Sequence, residues 1–239
     1  MKHLDYDLKP IDLSLSGLRE VQELMKLSFS GDAPSVEVLQ WQYNENPLGP
    51  AIGYNAYCGT DLVGHYVTIP TQAMIKGEFK KGLLSLNTAT HPSHQKKGLF
   101  SQLANLTYDK GKNTGFDFVV GVANHNSVYG FTKKLGFQHV GLLETRLFLR
   151  TPFLKKMDLD FSIVWNTDFL NWRLAKPGCK YFYRFQDTHL ELYVKHIKAK
   201  VKILIQNLDW HNKTLPDRVN PMPAMGNPFK YWIGHEPRA

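Results

Sequence analysis

The chain is short of cysteine and has no long hydrophobic run. Its only cysteines, Cys58 and Cys179, lie far apart and outside the spacing of a metal site, so we expect buried thiols and no metal. No apolar run approaches the ~20 residues that span a bilayer, and the first residues lack the apolar stretch of a signal peptide. We therefore expect a cytoplasmic protein with no membrane partner.

Acidic residues are outnumbered by basic ones. The 239 residues include 29 Lys and Arg against 21 Asp and Glu, a formal net charge of +8. This excess suits an acidic partner such as CoA, a sugar nucleotide, nucleic acid or an anionic surface, and charge alone does not choose among them. Hydrophobic residues make up 43% of the chain, which is enough for the core of one large domain or of a domain with an appended half.

Apolar periodicity predicts a strand and two helices at the start of the chain. The strand lies around residues 3–9 and precedes an amphipathic helix. A second, short helix covers residues 35–43, with Ser35 as its N-cap. The apolar positions of the first helix are Leu15, Leu18, Val21, Leu24, Met25 and Phe29.

The sequence that follows predicts three strands, a helix and then a fourth strand. Strands over residues 51–58, 62–75 and 80–90 are separated by short polar turns, which predicts an antiparallel meander. A helix then begins at Gly98, and a continuous apolar strand covers residues 118–123. Such a continuous apolar run is typical of a buried strand with a parallel neighbour.

A basic glycine turn stands between the meander and the helix. It reads Gln95-Lys96-Lys97-Gly98-Leu99-Phe100-Ser101. A helix that starts at Gly98 leaves its first amide N–H groups without intrahelical partners and presents the positive end of its dipole, which suits an anionic pyrophosphate. The simpler alternative is a solvated basic turn.

These residues closely resemble the CoA-binding core of the GNAT superfamily of N-acetyltransferases. In that family a Gln/Arg-x-x-Gly-x-Gly/Ala turn follows the fourth strand, and Gln95-x-x-Gly98-x-Phe100 is similar to it except for Phe in the last small position. Asn126 and the pair Gly136-Phe137 occupy the region where the family places an Asn and a Gly-Phe pair after its fifth strand. The resemblance covers roughly residues 1–150 and rests on this ordered combination.

The resemblance implies an α/β (α+β) fold with a mixed, mainly antiparallel central sheet flanked by helices. The fourth and fifth strands of that sheet splay apart, and the pantetheine arm of acetyl-CoA, the implied cosubstrate, enters the gap. The residues implied to bind it are Thr88, Ala89 and Thr90 through the main chain, Gln95, Lys96, Lys97, Gly98, Leu99, Phe100 and Ser101 around the pyrophosphate, and Asn126. Ser101 either caps the helix or contacts a phosphate oxygen, with an ordinary first-turn serine as the alternative. Helix capping is the alternative for Asn126, with Asn124 as its alternate. The Phe100 ring is expected to turn toward the core.

The catalytic groups depart from the family pattern. The family often carries a Tyr at the position of Thr132, where it protonates the leaving CoA thiolate. Tyr129, one helical turn earlier, is the nearest phenol and the catalytic candidate, with packing on the cofactor or helix capping as alternatives. No carboxylate lies between residues 80 and 109, so the base does not come from the fourth strand. His65, His125 and a water chain remain as candidate bases.

The resemblance implies an acetyltransferase domain over residues 1–150. Residues 151–239 lie beyond the part that a single family core covers, and they are predicted to form a β-rich extension that ends in a proline-rich tail. Leu170-Asn171-Trp172 before two strand-like runs echoes Leu39-Gln40-Trp41 before the first hairpin. Residues 160–210 form either a degenerate second GNAT-like half or an unrelated extension. The extension offers aromatic faces on which an acceptor can stack: Trp165, Trp172, Tyr181 and Tyr183.

Three function classes remain open. The first is an N-acetyltransferase that moves acetyl from acetyl-CoA to a primary amine of a small molecule, an amino sugar being one candidate, by direct attack in a ternary complex. The second takes its acyl group from aminoacyl-tRNA and is disfavoured by the intact pyrophosphate turn. The third is a non-catalytic module that binds CoA or nucleic acid. Nucleic acid is unlikely as a partner, because Lys198, Lys200 and Lys202 are more simply explained as a solvated strand edge. The sequence leaves the oligomeric state unknown.

Overall fold

The structure, a computed structural model, describes most of the chain. The described residues are 5–29, 33–125, 127–140, 144–148, 160–186, 189–195, 202–209, 220–221 and 230–234. The chain forms two compact units. The first comprises Met1–His139 and Leu159–Trp165, and the second comprises Val140–Asp158 and Asn166–Ala239.

Serine N-caps begin both helices at the start of the first unit. Strand β1 (Asp7–Pro10) leads into helix α1 (Leu15–Ser28), where the Ser14 hydroxyl accepts a hydrogen bond from the Gly17 amide at 3.2 Å. Helix α2 (Val36–Asn44) is capped in the same way by Ser35, as predicted. A capping side chain satisfies an amide that the helix itself leaves without a partner.

A meander of three strands forms the centre of the sheet. Strands β2 (Ile52–Cys58), β3 (Asp61–Ile75) and β4 (Glu78–Thr90) pair antiparallel in sequence order, and β1 pairs with β2 at the edge. The meander confirms the prediction, with β4 beginning two residues before residue 80.

Helix α3 (Leu99–Asn113) carries the chain from β4 to β5 (Phe118–Gly121). β5 pairs parallel with β4, from Gly82 opposite Phe118 to Ser85 opposite Gly121. β4 continues to Thr90, five residues after that pairing ends. The mixed, mainly antiparallel sheet, its parallel β4–β5 pair and the flanking helices confirm the predicted fold class.

Helices cover both faces of this sheet. α3 packs against β2 and β3, and α1 packs against β3 and β4. Because side chains alternate along a strand, neighbouring residues of β3 enter opposite cores. The core on the α3 face consists of Ala56, Val63, Tyr66, Leu99, Leu103 and Ala104.

The remaining elements belong mostly to the second unit. They are β6 (Glu144–Phe148), β7 (Phe161–Ile163), α4 (Thr167–Leu174), β8 (Tyr181–Gln186), β9 (His189–Lys195), β10 (Lys202–Asp209), β11 (Asn220–Pro221) and β12 (Lys230–Gly234). β7 belongs to the first unit, where it pairs with the end of β3. In the second unit β8, β9 and β10 form an antiparallel meander, β11 joins β8, and β12 pairs with β6.

The order of α4 and the meander that follows it matches the order of α2, β2, β3 and β4. A degenerate second half therefore stays a hypothesis for residues 160–210, as does the proposed domain boundary at residue 150. Two of the four aromatic side chains expected to offer open faces are instead core residues: Trp172 is 8% exposed and Tyr181 is 3% exposed. Lys198, Lys200 and most of the proline-rich tail lie outside the described residues.

Within the described residues, no helix is long and apolar enough to span a bilayer. Cys58 and Cys179 are half-buried and are not joined in a disulfide.

Candidate active site

A turn with left-handed backbone joins β4 to α3. Lys96 has a φ of +61° and Gly98 a φ of +82°, whereas Lys97 between them does not have a positive φ. Backbone of alternating handedness points successive amide N–H groups to one side and forms a concavity that binds anions. Gln95, Lys96 and Lys97 are exposed, so the turn adds two solvated cationic side chains to these amide donors.

The first turn of α3 extends this set of donors. Gly98 is the N-cap, and it has no side chain that could accept hydrogen bonds from the first amides of the helix. The first intrahelical hydrogen bond runs from the Gln102 amide to the Gly98 carbonyl, at 3.1 Å. The amides of Leu99, Phe100 and Ser101 therefore lie at the positive end of the helix dipole without intrahelical partners. The Leu99 side chain is 1% exposed, so Leu99 contributes only its main chain to this face, and Ser101 is half-buried.

The Phe100 ring packs in the core, as expected from a bulky residue at this position. Its centroid lies 5.7 Å from that of Tyr66 and 5.2 Å from that of Phe131, both in edge-to-face geometry. A Cβ atom on Gly130 would lie 2.8 Å from Cε1 of the same ring. Phe100 therefore joins the start of α3 to the segment that follows β5, and Gly130 permits the close approach.

The end of β4 presents a strand edge beside the glycine turn. No strand in the described part of the chain pairs with residues 86–90 on the side of β5. On the other side, Ala89 pairs with His65 of β3, and Thr90 pairs with Gly64. The Thr90 carbonyl accepts a hydrogen bond from Gln95 Nε2 at 3.4 Å, which ties the turn to the strand. The structure thus brings the predicted strand residues and the predicted turn together.

A β-bulge interrupts β4 within this edge. Leu86 pairs with Val67 and Ala89 with His65, so Asn87 and Thr88 stand opposite the single residue Tyr66. Asn87 adopts a φ of +49°, a left-handed conformation that asparagine tolerates better than most residues. A bulge leaves one residue outside the ladder, so the main chain at Asn87 and Thr88 is not held by regular pairing.

A polar network of five side chains lies behind the bulge, and it consists of Gln42, Tyr43, Asn55, His65 and Asn87. Asn87 Nδ2 donates to Gln42 Oε1 at 2.7 Å and to the Tyr43 hydroxyl at 3.0 Å. His65 Nδ1 lies 2.7 Å from Asn55 Oδ1, and His65 Nε2 lies 3.2 Å from the Tyr43 hydroxyl.

The chemistry of these groups sets the direction of each hydrogen bond. An amide oxygen only accepts, so Nδ1 of His65 carries the hydrogen and donates to Asn55. A neutral imidazole then accepts at Nε2, and the Tyr43 hydroxyl donates to it while accepting from Asn87. His65 is completely buried, and this burial lowers its pKa from 6.5 to about 3.

This environment argues against His65 as the base. An imidazole with so low a pKa takes up a proton poorly at neutral pH, and both of its nitrogens already have partners. Burial also raises the pKa of Tyr43, although the hydrogen bond from Asn87 offsets part of the rise.

Three hydroxyl groups meet on the α3 face of the sheet, near the end of the pairing between β4 and β5. We call Tyr66, Ser85 and Tyr108 the Tyr66 cluster. The Tyr66 hydroxyl lies 2.8 Å from Ser85 Oγ and 2.5 Å from the Tyr108 hydroxyl. Burial raises the pKa of both phenols. Both remain protonated at neutral pH, and because Tyr66 and Ser85 are buried, the cluster is a set of internal hydrogen bonds.

The segment after β5 begins with a reciprocal cap. The Ser127 amide donates to Asn124 Oδ1 and the Asn124 amide donates to Ser127 Oγ, each at 3.1 Å, in the manner of a capping box. Asn124 is thus engaged at the helix start, whereas Asn126 lies outside the described residues. His125 is exposed.

Tyr129 stands at the start of the single π-helical turn Gly130–Lys134. Its side chain is 65% exposed, so the phenol is accessible from solvent. The hydroxyl of Thr132, at the position of the family's usual Tyr, donates to the Val128 carbonyl at 2.8 Å. Thr132 is therefore occupied within its own helix, and Tyr129 is the accessible phenol of this segment.

Sequence reasoning missed Asn87, Tyr43 and the Tyr66 cluster. What marks Asn87 is its left-handed backbone within a β-bulge. The bulge is visible only in the register of the paired strands, so the sequence alone does not reveal it. Among the described residues no group of three or more His, Cys, Asp or Glu side chains is arranged to hold a metal ion.

The comparisons with known proteins point to one family. A family model described as an acetyltransferase (GNAT) domain matches residues 10–140, which is 131 of the 239 residues and so more than half of the chain. No curated protein matches the chain by sequence.

Several solved structures are similar at low identity. An aminoglycoside acetyltransferase from an uncultured soil metagenomic sample, in complex with sisomicin, is 16% identical over 57% of this chain and 89% of its own, with a TM-score of 0.45. An acetyltransferase of Trypanosoma brucei is 18% identical over 57% and 95%, with a TM-score of 0.46. Glucosamine-6-phosphate N-acetyltransferase of Arabidopsis thaliana is 10% identical over 58% and 95%, with a TM-score of 0.46.

The buried imidazole of His65 makes stability depend on pH. The unfolded chain binds a proton at this histidine below pH 6.5, whereas the folded protein does so only near pH 3. Between these values the unfolded state holds the extra proton, so the free energy of unfolding should fall as the pH falls. The contribution reaches about 1.4 kcal/mol per pH unit.

Urea unfolding of the wild type and of His65→Gln between pH 7 and pH 4 measures this contribution, because all other titrating groups are shared. We expect the wild type to lose stability more steeply than the variant as the pH falls. Equal slopes would show that His65 is not held neutral in the folded protein.

Proposed function

This chain belongs to the GNAT acetyltransferase family, and from that membership we propose that it transfers acetyl from acetyl-CoA to a primary amine of a small molecule. An amino sugar is a suitable acceptor class. The observation that carries the proposal is the left-handed glycine turn at the start of α3, placed beside the unpaired end of β4. Anion donors and a free strand edge are the two features that a CoA site of this kind needs.

The turn is suited to the pyrophosphate of CoA. The amides of residues 98–101 supply donors at a helix N-terminus, and Lys96 and Lys97 add charge attraction that solvent and salt weaken. Gln95 keeps the turn against the end of β4 through its hydrogen bond to Thr90. These contacts require no particular acyl group, so they explain donor binding and leave acceptor choice to other residues.

The unpaired edge of β4 is suited to the pantetheine arm. The Thr90 carbonyl accepts from Gln95 Nε2 and Ser28 Oγ, so the main-chain groups before it are the ones with which a peptide-like arm can pair as an added strand would. With the pyrophosphate at the turn, the arm runs from Thr90 back toward the bulge and places the thioester near Asn87 and Thr88.

The chemistry is a direct transfer between two bound substrates. Acetyl-CoA supplies its acetyl group as a thioester, the acceptor nitrogen forms the new amide bond, and the bond between carbon and sulfur breaks. The nitrogen loses a proton to solvent or to a chain of waters, and the CoA sulfur gains one. We assign the second proton to Tyr129, whose exposed phenol lies on the segment that Phe131 anchors against the start of α3.

Gly98→Asp tests the pyrophosphate site. The carboxylate would place a negative charge among the amide donors, so we expect the affinity for acetyl-CoA to fall at least about 100-fold, the effect of several lost charge-assisted contacts. Calorimetric titration of acetyl-CoA into wild type and variant measures the change.

Gly115→Asp is the matched control. Gly115 has a φ of +87° and lies just beyond the opposite end of α3, so the same substitution introduces the same charge and a similar backbone strain. We expect its affinity for acetyl-CoA to equal that of the wild type. No binding to the wild type, or an equal loss in both variants, would contradict the proposed site.

Tyr129→Phe tests the proton donor. Because the side chain is exposed, we expect little change in stability or in the affinity for acetyl-CoA. Turnover should fall at least about 10-fold, within the range that a positioned acid contributes. Release of CoA thiol with a panel of primary amines that includes glucosamine measures turnover. Unchanged turnover would remove Tyr129 from the mechanism and leave the CoA site intact.

A further inference from the structure

The polar network behind the bulge ties four elements of the first unit together. Gln42 and Tyr43 come from α2, Asn55 from β2, His65 from β3 and Asn87 from β4. Tyr43, Asn55 and His65 are buried. Hydrogen bonds no longer than 3.2 Å connect all five side chains, so the network fixes their relative positions.

Asn87 makes the connection between this network and the main chain of the bulge. Both hydrogens of its side-chain amide are used, one by Gln42 and one by Tyr43. Its backbone is left-handed, at a φ of +49°. Asparagine meets both demands, since it visits the left-handed region and carries two donors. Aspartate has no donor when ionised, and glycine has no side chain to hold.

His65 determines which way Tyr43 donates. The neutral imidazole accepts at Nε2, so the Tyr43 hydrogen points to His65 and the oxygen lone pairs are left for Asn87. The direction of each hydrogen bond is therefore set from Asn55 to Asn87. Such a network holds Asn87 in one orientation.

We propose that Asn87, held by Gln42 and Tyr43, is a positioning residue that fixes the β4 bulge so that a bulge amide N–H polarises the thioester carbonyl of bound acetyl-CoA. The inference rests on the proposed function, because it requires acetyl-CoA on the edge of β4. A preorganised donor stabilises the charge that develops on the carbonyl oxygen without rearranging during the reaction. Asn87 acts through the main chain and need not touch the acceptor.

Infrared difference spectroscopy with acetyl-CoA labelled with ¹³C at the thioester carbonyl reads this contact directly, without an acceptor. We expect the carbonyl stretch to move to lower frequency on binding to the wild type. Tyr43→Phe keeps the buried ring and removes one of the two hydrogen-bond partners of Asn87. Asn87→Gly keeps the left-handed backbone accessible and removes both hydrogen bonds. In each variant we expect at least about half of the frequency shift to be lost, with the affinity for acetyl-CoA within about threefold of the wild type.

Thr107→Val is the matched control. It removes a buried hydroxyl that donates to the Leu103 carbonyl at 2.8 Å within α3, and that hydroxyl takes no part in the polar network. We expect this variant to keep the wild-type frequency shift. Gln42→Ala adds a third test at a half-buried position of α2, where loss of folding is not expected, and it should lose part of the shift.

The outcomes separate the two proposals. A wild type that binds no acetyl-CoA overturns the proposed function and this inference with it. A wild type that binds acetyl-CoA and shows a shifted carbonyl, while Tyr43→Phe, Asn87→Gly and Gln42→Ala show the same shift, overturns only the inference. If stability and affinity fall together while the shift in the bound fraction stays at the wild-type value, the network is structural and the inference is wrong.

Discussion

The parallel pairing of β4 with β5, and the point at which it ends, is the constraint on which the rest of the site depends. Pairing stops at Ser85 and Gly121, while β4 runs on to Thr90 and into the glycine turn. Had β5 continued alongside, the main chain of residues 86–90 would be fully used within the sheet. Because β5 ends, an extended edge and the N-terminus of α3 lie in succession along one stretch of chain.

Helices on the two sheet faces give this edge different surroundings. On the α3 face, Phe100, Phe131 and the Tyr66 cluster bring the segment after β5 close to the start of α3. On the other face, α2 supplies Gln42 and Tyr43 to the bulge. The edge of β4 is therefore supported by aromatic packing on one face and, on the other, by directed hydrogen bonds to the bulge.

Local signals in the sequence were sufficient for most of the first unit. Ser35 predicted the start of α2, and Gly98 predicted the start of α3, because capping and left-handed turns depend on near neighbours. β5 proved shorter than predicted: its pairing with β4 ends at Gly121, and Val122 beyond it is exposed. The polar network was beyond prediction. Asn87 and His65 both meet Tyr43 of α2, 44 and 22 residues away, so the strand register and the packing of α2 on the sheet together bring them into contact.

Acetyl-CoA bound as proposed occupies the edge of β4 and the start of α3 together, and amide hydrogen exchange with and without acetyl-CoA measures the protection of both segments at once. We predict slower exchange at residues 86–90 and at residues 98–101 when acetyl-CoA is added, with no change at the β2–β3 turn around Gly59. Slowing at the turn of α3 alone would mean that a phosphate group binds there without the pantetheine arm. Unchanged exchange in both segments would contradict the account.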